Sequence, residues 1–410
     1  MSEFRIAGLF AGIGGIEQGF HRALGNRART DILCEWWEPA KRVLETRFPE
    51  IDVHPDIREM QDLPDSVNLV CAGFPCTDLS QAGRTAGIAG KNSGLVRHVF
   101  ELLSRRKRAG ALPTLLIENV PNMLVLNKGH AMRYLIDEIE ALGYRWAYRV
   151  VDSRFTGVPQ RRRRVLLLAS IDLDPAGVLL TEDGGPRPDE DFHGDAYGFY
   201  WTEGHTGVGW AIDAVPTLKG GSAIGIPSPP SVWVPGNVVG RKFVVPRIED
   251  AEALQGFERG WTDVQGLGRR AHGLRWKMVG NAVTVGVSSW VAQRMIEPES
   301  EVPAGEPWNG QRSWPTCAWG ANGRIWTVPG LSEFPRHAPY RHLRDEVDFG
   351  SAPSLSLKAT AGFSKRLSKG NLGQHPGFRE DVAEHIETLR ALDAAMSGRE
   401  DQLTLAYAWS

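Results

Sequence analysis

Residues 5–15 read RIAGLFAGIGG: an apolar run passes directly into a glycine-rich turn, and residues 16–24 continue with helical periodicity. Glycines in such a turn let the backbone bend tightly and approach a ligand closely. The stretch departs from the dinucleotide fingerprint G-x-G-x-x-G, because Glu17 stands where the third glycine would be. An acid in the first helical turn would repel a pyrophosphate. The stretch therefore predicts a strand, a ligand-binding turn and a helix, and it favours a cationic cofactor over NAD.

Apolar runs and amphipathic segments alternate from this stretch to residue 170. Such alternation predicts an α/β fold with a parallel, doubly wound sheet. In sheets of this type the ligand crevice lies beyond the carboxyl ends of the strands. Strands are predicted at residues 5–10, 31–36, 67–72, 114–118, 146–151 and 164–169, and helices at residues 16–24, 40–48, 95–105 and 131–142.

Composition changes after residue 171 and divides the chain into parts. Residues 1–171 form the predicted catalytic and cofactor-binding domain, and an apolar helical stretch in residues 276–296 returns to complete it. Residues 172–275 begin with a long stretch rich in Gly, Pro, Ser and aromatic residues, which predicts a small, loop-rich second domain. Residues 297–312 are interpreted as a linker, and residues 313–410 as a C-terminal accessory module.

The bulk composition restricts partners and compartment. The 410 residues carry a formal net charge of -2, so any nucleic-acid surface has to be a local patch, such as residues 105–108 or 161–164. The four cysteines show no paired metal-binding spacing, and three are interpreted as small buried hydrophobes: Cys34, Cys71 and Cys317. The chain begins without a signal-peptide pattern and has no apolar run long enough to span a bilayer. We therefore expect a cytoplasmic protein that contacts no membrane.

Polar and aromatic residues follow the next predicted strands at positions suited to a nucleoside. Glu35 ends the second strand, where an acid can accept hydrogen bonds from both ribose hydroxyls, and Trp36 offers a flat face for adenine. Asp56 and Ile57 would end a further short strand, the third along the chain, which lies between those at 31–36 and 67–72. They would place a carboxylate and an apolar side chain at the adenine edge. Each residue also suits a core aromatic or a helix cap, but their recurrence at successive strand ends favours a ligand site.

A second set of residues carries the chemistry of a reactive thiol. The sequence GFPC at residues 73–76 ends the fourth strand and holds Cys76 on a turn, where a thiolate can act as a nucleophile. Glu118 ends the neighbouring fifth strand, and partial burial can keep such a carboxyl group protonated. Strand alternation in the run after Gln160 sends Arg162 and Arg164 to the same face, which can point at the ligand crevice.

Six short motifs, in this order, resemble those of the cytosine-C5 DNA methyltransferase family, of the bacterial or phage restriction-modification type. The resemblance covers residues 4 to about 296. It implies a Rossmann-like, class I S-adenosylmethionine-dependent methyltransferase sheet with a small target-recognition domain in residues 172–275. The motifs are FAGIGG at residues 10–15, GFPC at 73–76, ENV at 118–120, QRRRR at 160–164, RK at 241–242 with EALQGF at 252–257, and KMVGNAV at 277–283.

This resemblance implies a DNA (cytosine-5-)-methyltransferase that uses S-adenosyl-L-methionine and no metal. Cys76 would add to C6 of a cytosine flipped out of the duplex, and Glu118 would hold N3 and the exocyclic amine. Arg164, together with Arg162, would bind the O2 side of the base. The resemblance adds further residues to the cofactor pocket: Phe10, Gly12, Gly14 and Asn281.

The implied partners are double-stranded DNA and a cognate restriction endonuclease acting on the same site, with the enzyme working as a monomer. Residues 80–94 contain four glycines and occupy the position of the family's mobile loop, which closes over the flipped base. Thr77 follows the cysteine where the family usually has glutamine, so one polar contact is expected to differ. The tail beyond residue 297 exceeds the family's minimal pattern, and it either adds DNA contacts or serves as a scaffold for another protein.

Three other functions share part of this pattern. A tRNA cytosine-5 methyltransferase carries most of these motifs, and the composition does not separate it from a DNA enzyme. A catalytically silent DNA-binding regulator on the same fold would have no need for Cys76, Glu118, Arg162 and Arg164 together. A small-molecule methyltransferase would need the cofactor turn but has no reason to carry Cys76, Glu118 and Arg164.

Overall fold

The computed structural model describes residues 3–74, 94–203, 207–221, 228–238, 241–310, 313–370 and 372–408, with side chains up to residue 395. Its strands are β1 (Phe4–Leu9), β2 (Ala28–Cys34), β3 (Val53–His54), β4 (Leu69–Ala72), β5 (Thr114–Asn119), β6 (Arg145–Asp152), β7 (Gln160–Arg161), β8 (Arg163–Ser170), β9 (Tyr197–Phe199), β10 (Ala211–Ile212), β11 (Val215–Pro216), β12 (Ser231–Trp233), β13 (Phe243–Val244), β14 (Glu306–Pro307), β15 (Cys317–Ala321) and β16 (Arg324–Thr327). Its helices are α1 (Gly15–Leu24), α2 (Glu38–Arg47), α3 (Val96–Arg108), α4 (His130–Ala141), α5 (Pro175–Leu179), α6 (Ile248–Leu254), α7 (Ala271–Asn281), α8 (Val285–Ile296), α9 (Leu343–Glu346), α10 (Leu357–Lys369) and α11 (Phe378–Ala408).

A large mixed sheet forms the centre of the described part of the chain, with ten strands in the order β14-β16-β15-β6-β8-β5-β4-β1-β2-β3. From β3 to β5 all neighbours are parallel, as predicted. Beyond β5 every neighbour is antiparallel, so the prediction of a parallel sheet is wrong for this half. Residues 153–162 join β6 to β8 and are too few for the crossover that parallel pairing requires. The amino end of β8 therefore lies at the carboxyl end of β5.

Alternate residues of the central strands bury against helices on opposite faces of this sheet. In β4, Val70 and Ala72 pack in the apolar cluster that contains α3 and α4, whereas Leu69 and Cys71 pack in the cluster that contains α1 and α8. The helix predicted to return to the first domain is thus α8, and its Ser289 Oγ donates to the carbonyl oxygen of Gly19 at 2.9 Å. Both faces of the sheet are covered, which leaves its strand ends as the place for a ligand.

The segment after α8 does not form a separate module. β15 pairs with β6 and β14 pairs with β16, so residues from the predicted linker at 297–312 and module at 313–410 extend the main sheet. Without β15, β6 would be an edge strand with unpaired backbone N–H and C=O groups. β15 provides the hydrogen-bond partners of these groups. Further on, α10 and α11 pack on a second sheet of order β10-β9-β12-β13. There Phe363 and Phe378 each lie with their ring centroid 5.2 Å from that of Phe199.

No helix in the described part of the chain combines the length and the apolar character needed to cross a membrane.

Candidate active site

The acid motif lies beside the segment that leads to Cys76. β4 and β5 are parallel neighbours with Ala72 opposite Ile117, so both chains leave the sheet at the same edge. Asn119 Nδ2 donates to the carbonyl oxygen of Phe74 at 3.0 Å, and a Cβ placed on Gly73 would lie 3.9 Å from Glu118 Oε2. Cys76 and nearly all of the predicted mobile loop, residues 80–94, lie outside the described residues.

Glu118 and Arg164 form an ion pair at this edge. Arg164 Nε lies 2.8 Å from Glu118 Oε1, and the two side chains are only 13% and 10% exposed. The pairing follows from the antiparallel register, in which Asn119 stands opposite Val165. Burial lowers the pKa of Arg164, while the nearby carboxylate opposes this effect. The structure thus brings together two of the predicted catalytic residues in a largely buried site, where charge interactions are stronger than at the surface.

Arg162 has a different environment from the one predicted. Its side chain is buried, and its guanidinium donates to the carbonyl oxygens of Leu218 (3.1 Å), Gly280 (3.2 Å) and Ala282 (2.6 Å). Burial lowers its pKa well below the ordinary value, with nearby Arg164 as a second cause. The alternation itself is as predicted, because Arg163 points to the other face and pairs with Glu333. The guanidinium of Arg162 is therefore occupied in joining chain segments.

The two basic runs considered as DNA contacts have internal partners. In α3, Arg106 is buried and lies 2.5 Å from Asp65 Oδ1, and Lys107 Nζ donates to the carbonyl oxygen of Ala141 at 3.2 Å. In the second run, residues 161–164, the Arg161 guanidinium donates to the carbonyl oxygen of Gly209 at 3.2 Å. The other three arginines of this run have the partners described above. Several cations of these runs thus bind within the protein, while Lys107 and Arg108 are exposed, and contact of either run with DNA stays a prediction.

The predicted cofactor residues at the ends of the first three strands line one cavity of about 230 Å³. Three further lining residues were missed: Cys34, Arg58 and Leu95. Cys34 ends β2 and is buried, as predicted, and burial raises the pKa of its thiol to about 12, with Glu35 as the next cause. It therefore contributes an apolar wall rather than a nucleophile. The predicted residues in the lining are Phe10, Glu35, Trp36, Asp56 and Ile57.

Glu35 connects this cavity to the glycine-rich turn, whose Gly12 and Gly14 are not themselves among the lining residues. Glu35 Oε2 accepts from Gly12 N and Oε1 accepts from Trp37 N, each at 2.8 Å. Phe10, Gly12 and Gly14 all have left-handed φ angles, of 57°, 59° and 82°. Glycine suits the last two positions, because left-handed φ angles carry little steric cost without a Cβ. Burial raises the pKa of Glu35, and the backbone hydrogen bonds oppose it.

This cavity fits the adenosyl part of S-adenosylmethionine. A carboxylate oxygen has more than one acceptor position, so Glu35 can still accept from ribose hydroxyls. Trp36 is 73% exposed, which is unusual for a tryptophan in a folded chain and leaves its face open for stacking. Phe10 and Ile57 supply apolar contacts on the remaining walls.

Asn281 is not among the residues that line the cavity. It is the last residue of α7, it is exposed, and a Cβ on Gly220 would lie 2.6 Å from its Oδ1. The neighbouring Val283 approaches the cofactor turn instead, because a side chain at Gly15 would collide with its carbonyl oxygen. The motif at 277–283 thus supports the turn through its backbone.

Glu17 does not face the cofactor, and the expectation that its charge selects a cationic ligand is wrong. Its side chain is buried against Gly8, and its Oε2 has no hydrogen-bond partner in the described part of the chain. Burial raises the pKa of Glu17 to about 7. The periodicity of α1 could have indicated this, because Glu17 lies one residue from buried Ile16 and three from Phe20.

Glu17→Gln is expected to weaken the pH dependence of stability. Because the carboxyl group has a pKa of 4.5 in the unfolded chain and about 7 when folded, the folded protein binds this proton more tightly. Wild-type stability should therefore fall as pH rises through this interval, by up to about 3 kcal/mol, and the variant should not show this loss. Urea unfolding between about pH 5 and about pH 8 measures it, with Glu50→Gln as an exposed control. A difference between variant and wild type that stays constant with pH would contradict the prediction.

Comparison with known proteins places this geometry in context. A model of the C-5 cytosine-specific DNA methylase family matches residues 4–175. The Type II methyltransferase M2.BsuMI of Bacillus subtilis (strain 168) is 44% identical over 374 residues, which cover 89% of this chain and 93% of that protein. M.BsuFI of Bacillus subtilis, also a Type II methyltransferase, is 32% identical over 162 residues, covering 39% of this chain and 37% of that protein.

The fold is also similar to that of a solved methyltransferase. The crystal structure of the S. pombe Dnmt2 methyltransferase superposes with a TM-score of 0.53, covering 72% of this chain and 99% of that one. At 14% identity this likeness concerns the fold alone, and it agrees with the predicted Rossmann-like arrangement of sheet and helices.

Proposed function

Because this chain belongs to the C-5 cytosine-specific DNA methylase family, we propose that this DNA (cytosine-5-)-methyltransferase modifies a flipped cytosine within a specific duplex site, using S-adenosylmethionine. The observation that carries the proposal is the Glu118–Arg164 ion pair, at 2.8 Å, beside the segment that leads to Cys76. A carboxyl group and a fixed cation at the sheet edge where the segment to Cys76 begins match the demands of attack on a pyrimidine ring by a thiolate.

The chain's own residues perform the following steps. The thiolate of Cys76 forms a bond to C6, and electron density moves toward C5 and the N3 edge of the ring. Glu118 holds N3 and the exocyclic amine and shares a proton with N3, so that the added charge is dispersed. Arg164 donates to O2 from its buried position. S-Adenosylmethionine, when bound, would supply the methyl group that C5 accepts and would leave as S-adenosylhomocysteine. The C5 proton then leaves to solvent, its electron pair restores the C5–C6 double bond, and the thiolate of Cys76 departs.

We assign a different role in cofactor binding to each of the predicted residues that line the cavity. Glu35 accepts from the ribose hydroxyls, Trp36 stacks on the adenine, and Asp56 lies at its edge. Asp56 also pairs with Arg58, and this ion pair lowers the pKa of Asp56. Glu35 also has a second role. It accepts hydrogen bonds from Gly12 N and Trp37 N, and these bonds fix the turn proposed to receive the cofactor.

Arg162 acts as a positioning residue in this proposal. It connects the start of β8 to backbone carbonyls at Leu218 and at Gly280 to Ala282. Gln160 does the same nearby, because its side chain donates to the carbonyl oxygen of Leu254 and accepts from Leu218 N. Through these contacts, Leu218 of the predicted target-recognition domain and the motifs at residues 252–257 and 277–283 hold the strand that presents Arg164.

The similarity to Type II methyltransferases supports a role in restriction-modification, with a cognate endonuclease that acts on the same site. We assign double-stranded DNA as the substrate and a monomer as the working form. The tRNA alternative rests on motifs that both kinds of enzyme share, and the likeness to Dnmt2 concerns the fold alone.

Methyl transfer from labelled S-adenosylmethionine to duplex DNA or to bulk tRNA tests the substrate. Label is expected in DNA cytosine, and bisulfite sequencing of the product would locate the target site. Label that enters only tRNA would overturn the DNA assignment, and label in neither nucleic acid, with the cofactor still bound, would favour a silent DNA-binding protein.

A further inference from the structure

Three residues far apart in the sequence converge outside the site described above. His193 follows the 3-10 turn at Asp189–Asp191, Asp213 lies between β10 and β11, and His342 directly precedes α9. One ligand-type atom from each of the three lies within 4.8 Å of the others. They thus join the small sheet region to the C-terminal segment.

Asp213 is held in place by its neighbours on both sides. Its side chain is fully buried, and its backbone has a left-handed φ of 47°, which is uncommon for a residue other than glycine. Its Oδ1 accepts from Leu343 N at 2.7 Å, and its Oδ2 accepts from His193 N at 2.9 Å. His342 Nδ1 lies 2.7 Å from the same Oδ2. A buried carboxylate needs hydrogen-bond donors or positive charge, and these partners, together with any bound cation, meet that need at Asp213.

The two imidazoles stand face to face beside this carboxylate. Their ring centroids are 3.4 Å apart and their planes differ by 5°. Two nitrogen ligands of a tetrahedral zinc ion are about 3.3 Å apart, given a Zn–N distance of about 2.0 Å. The ligand atoms of the cluster lie within 4.8 Å of one another, so a small movement brings the nitrogens to this separation. Ring lone pairs lie in the ring plane, so coordination requires the rings to rotate about their Cβ–Cγ bonds. His193 is exposed and has room for this rotation.

A polar cavity of about 470 Å³ opens beside the cluster. It is lined by both imidazoles together with Glu190, His337 and Tyr340, among others. This opening gives an ion a path from solvent and leaves a coordination position for water or a further side chain. Acidic Glu190 and Asp191 lie at its wall, and Asp191 is paired with Arg187 at 2.9 Å.

We propose that His193, Asp213 and His342 bind one Zn²⁺ ion, which fastens the segment before α9 to the small sheet region. Two imidazoles and a carboxylate with one open position form a common zinc ligand set. An open position is typical of catalytic rather than closed structural zinc sites, but the role proposed for this ion is to fasten two chain segments, and it takes no part in methyl transfer. The proposal departs from the expectation of a protein without metal, because no local spacing motif connects positions 193, 213 and 342.

Titration of the chelator-treated, untagged full chain with Zn²⁺ tests the proposal by calorimetry. Wild type is expected to bind one equivalent and to gain thermal stability that a chelator reverses. His193→Gln should bind at least about tenfold more weakly, since loss of even an outer partner of a ligand costs this much. The variant keeps the backbone amide that donates to Asp213, so its fold should persist.

His337→Gln is the matched control, because His337 lines the same cavity but bonds to the carbonyl oxygen of Gly185 instead. It should bind Zn²⁺ like wild type. The proposal is overturned if wild type binds no more Zn²⁺ than the His193→Gln, His342→Gln double variant, or if the control loses as much affinity as His193→Gln. In that case the cluster would be a hydrogen-bonded Asp–His pair with a stacked second imidazole.

Discussion

Cys76→Ala is expected to lower methyl transfer to duplex DNA by at least about 10³-fold, while S-adenosylmethionine still binds. C5 of cytosine becomes nucleophilic only after a group has added to C6, and Cys76 is the residue proposed to add. Steady-state incorporation of labelled methyl groups measures the loss. Cys76→Ser should fail as well, because a hydroxyl group is far less ionised than a thiol near neutral pH.

Cys317→Ala is the control for removal of a thiol. Cys317 is buried in β15 and burial raises the pKa of its thiol, so it has no part in the proposed chemistry. DNA containing 5-fluorocytosine gives a second measurement, since a ring without a proton at C5 cannot release the sulfur. Wild type should form an adduct that survives denaturation, and Cys76→Ala should not. Retention of more than about a tenth of wild-type activity by Cys76→Ala would remove it from the mechanism.

Glu118→Gln is expected to lower kcat by about 10²- to 10⁴-fold, the usual contribution of a positioned acid or base. The amide keeps the size of the side chain but cannot share a proton with N3 as the carboxyl group does. Since the change affects the ring only as charge develops, KM for DNA should move by a few-fold at most. Steady-state kinetics that separate kcat from KM for a short duplex measure both quantities.

Glu333→Gln is a close control, because Glu333 pairs with Arg163 as Glu118 pairs with Arg164, one residue along the same strand. Its ion pair lies on the opposite face of β8, so kcat should remain unchanged. An equal loss in both variants would mean that the carboxylates act by stabilising β8, and a large rise in KM with unchanged kcat would limit Glu118 to ground-state binding.

The C-terminal segment illustrates how a composition-based boundary can mislead. Residues 297–312 are rich in proline and glutamate, which is typical of a linker, yet Glu306–Pro307 pairs with β16. These strands join the main sheet because β8 covers only one edge of β6, and β15 pairs with the other edge. A role of this segment in DNA contact would therefore have to be tested by surface substitutions, because a deletion would expose β6 and the small sheet.

The sequence by itself determined the parallel half of the sheet, the glycine-rich turn after β1 and the residues at the first three strand ends. Strand and helix patterns are local, so they can be read from neighbouring residues. Their alternation predicts parallel strands, whose carboxyl ends lie at one edge of the sheet. The proximity of Glu35 and Trp36 to one cavity could be predicted because both come just after β2, and the structure confirms this placement, while their roles toward a cofactor stay predictions. Cys76 lies outside the described residues, so its role remains a prediction from sequence.

Only the tertiary structure decided the partners of residues that are distant in sequence. Arg162 and Arg164 are both arginines and stand two positions apart, yet one meets backbone carbonyls and the other meets Glu118. The same holds for the burial of Glu17 and for the meeting of His193 with His342. A side chain's chemistry depends on what surrounds it, and for these residues the surroundings come from segments that no local pattern connects.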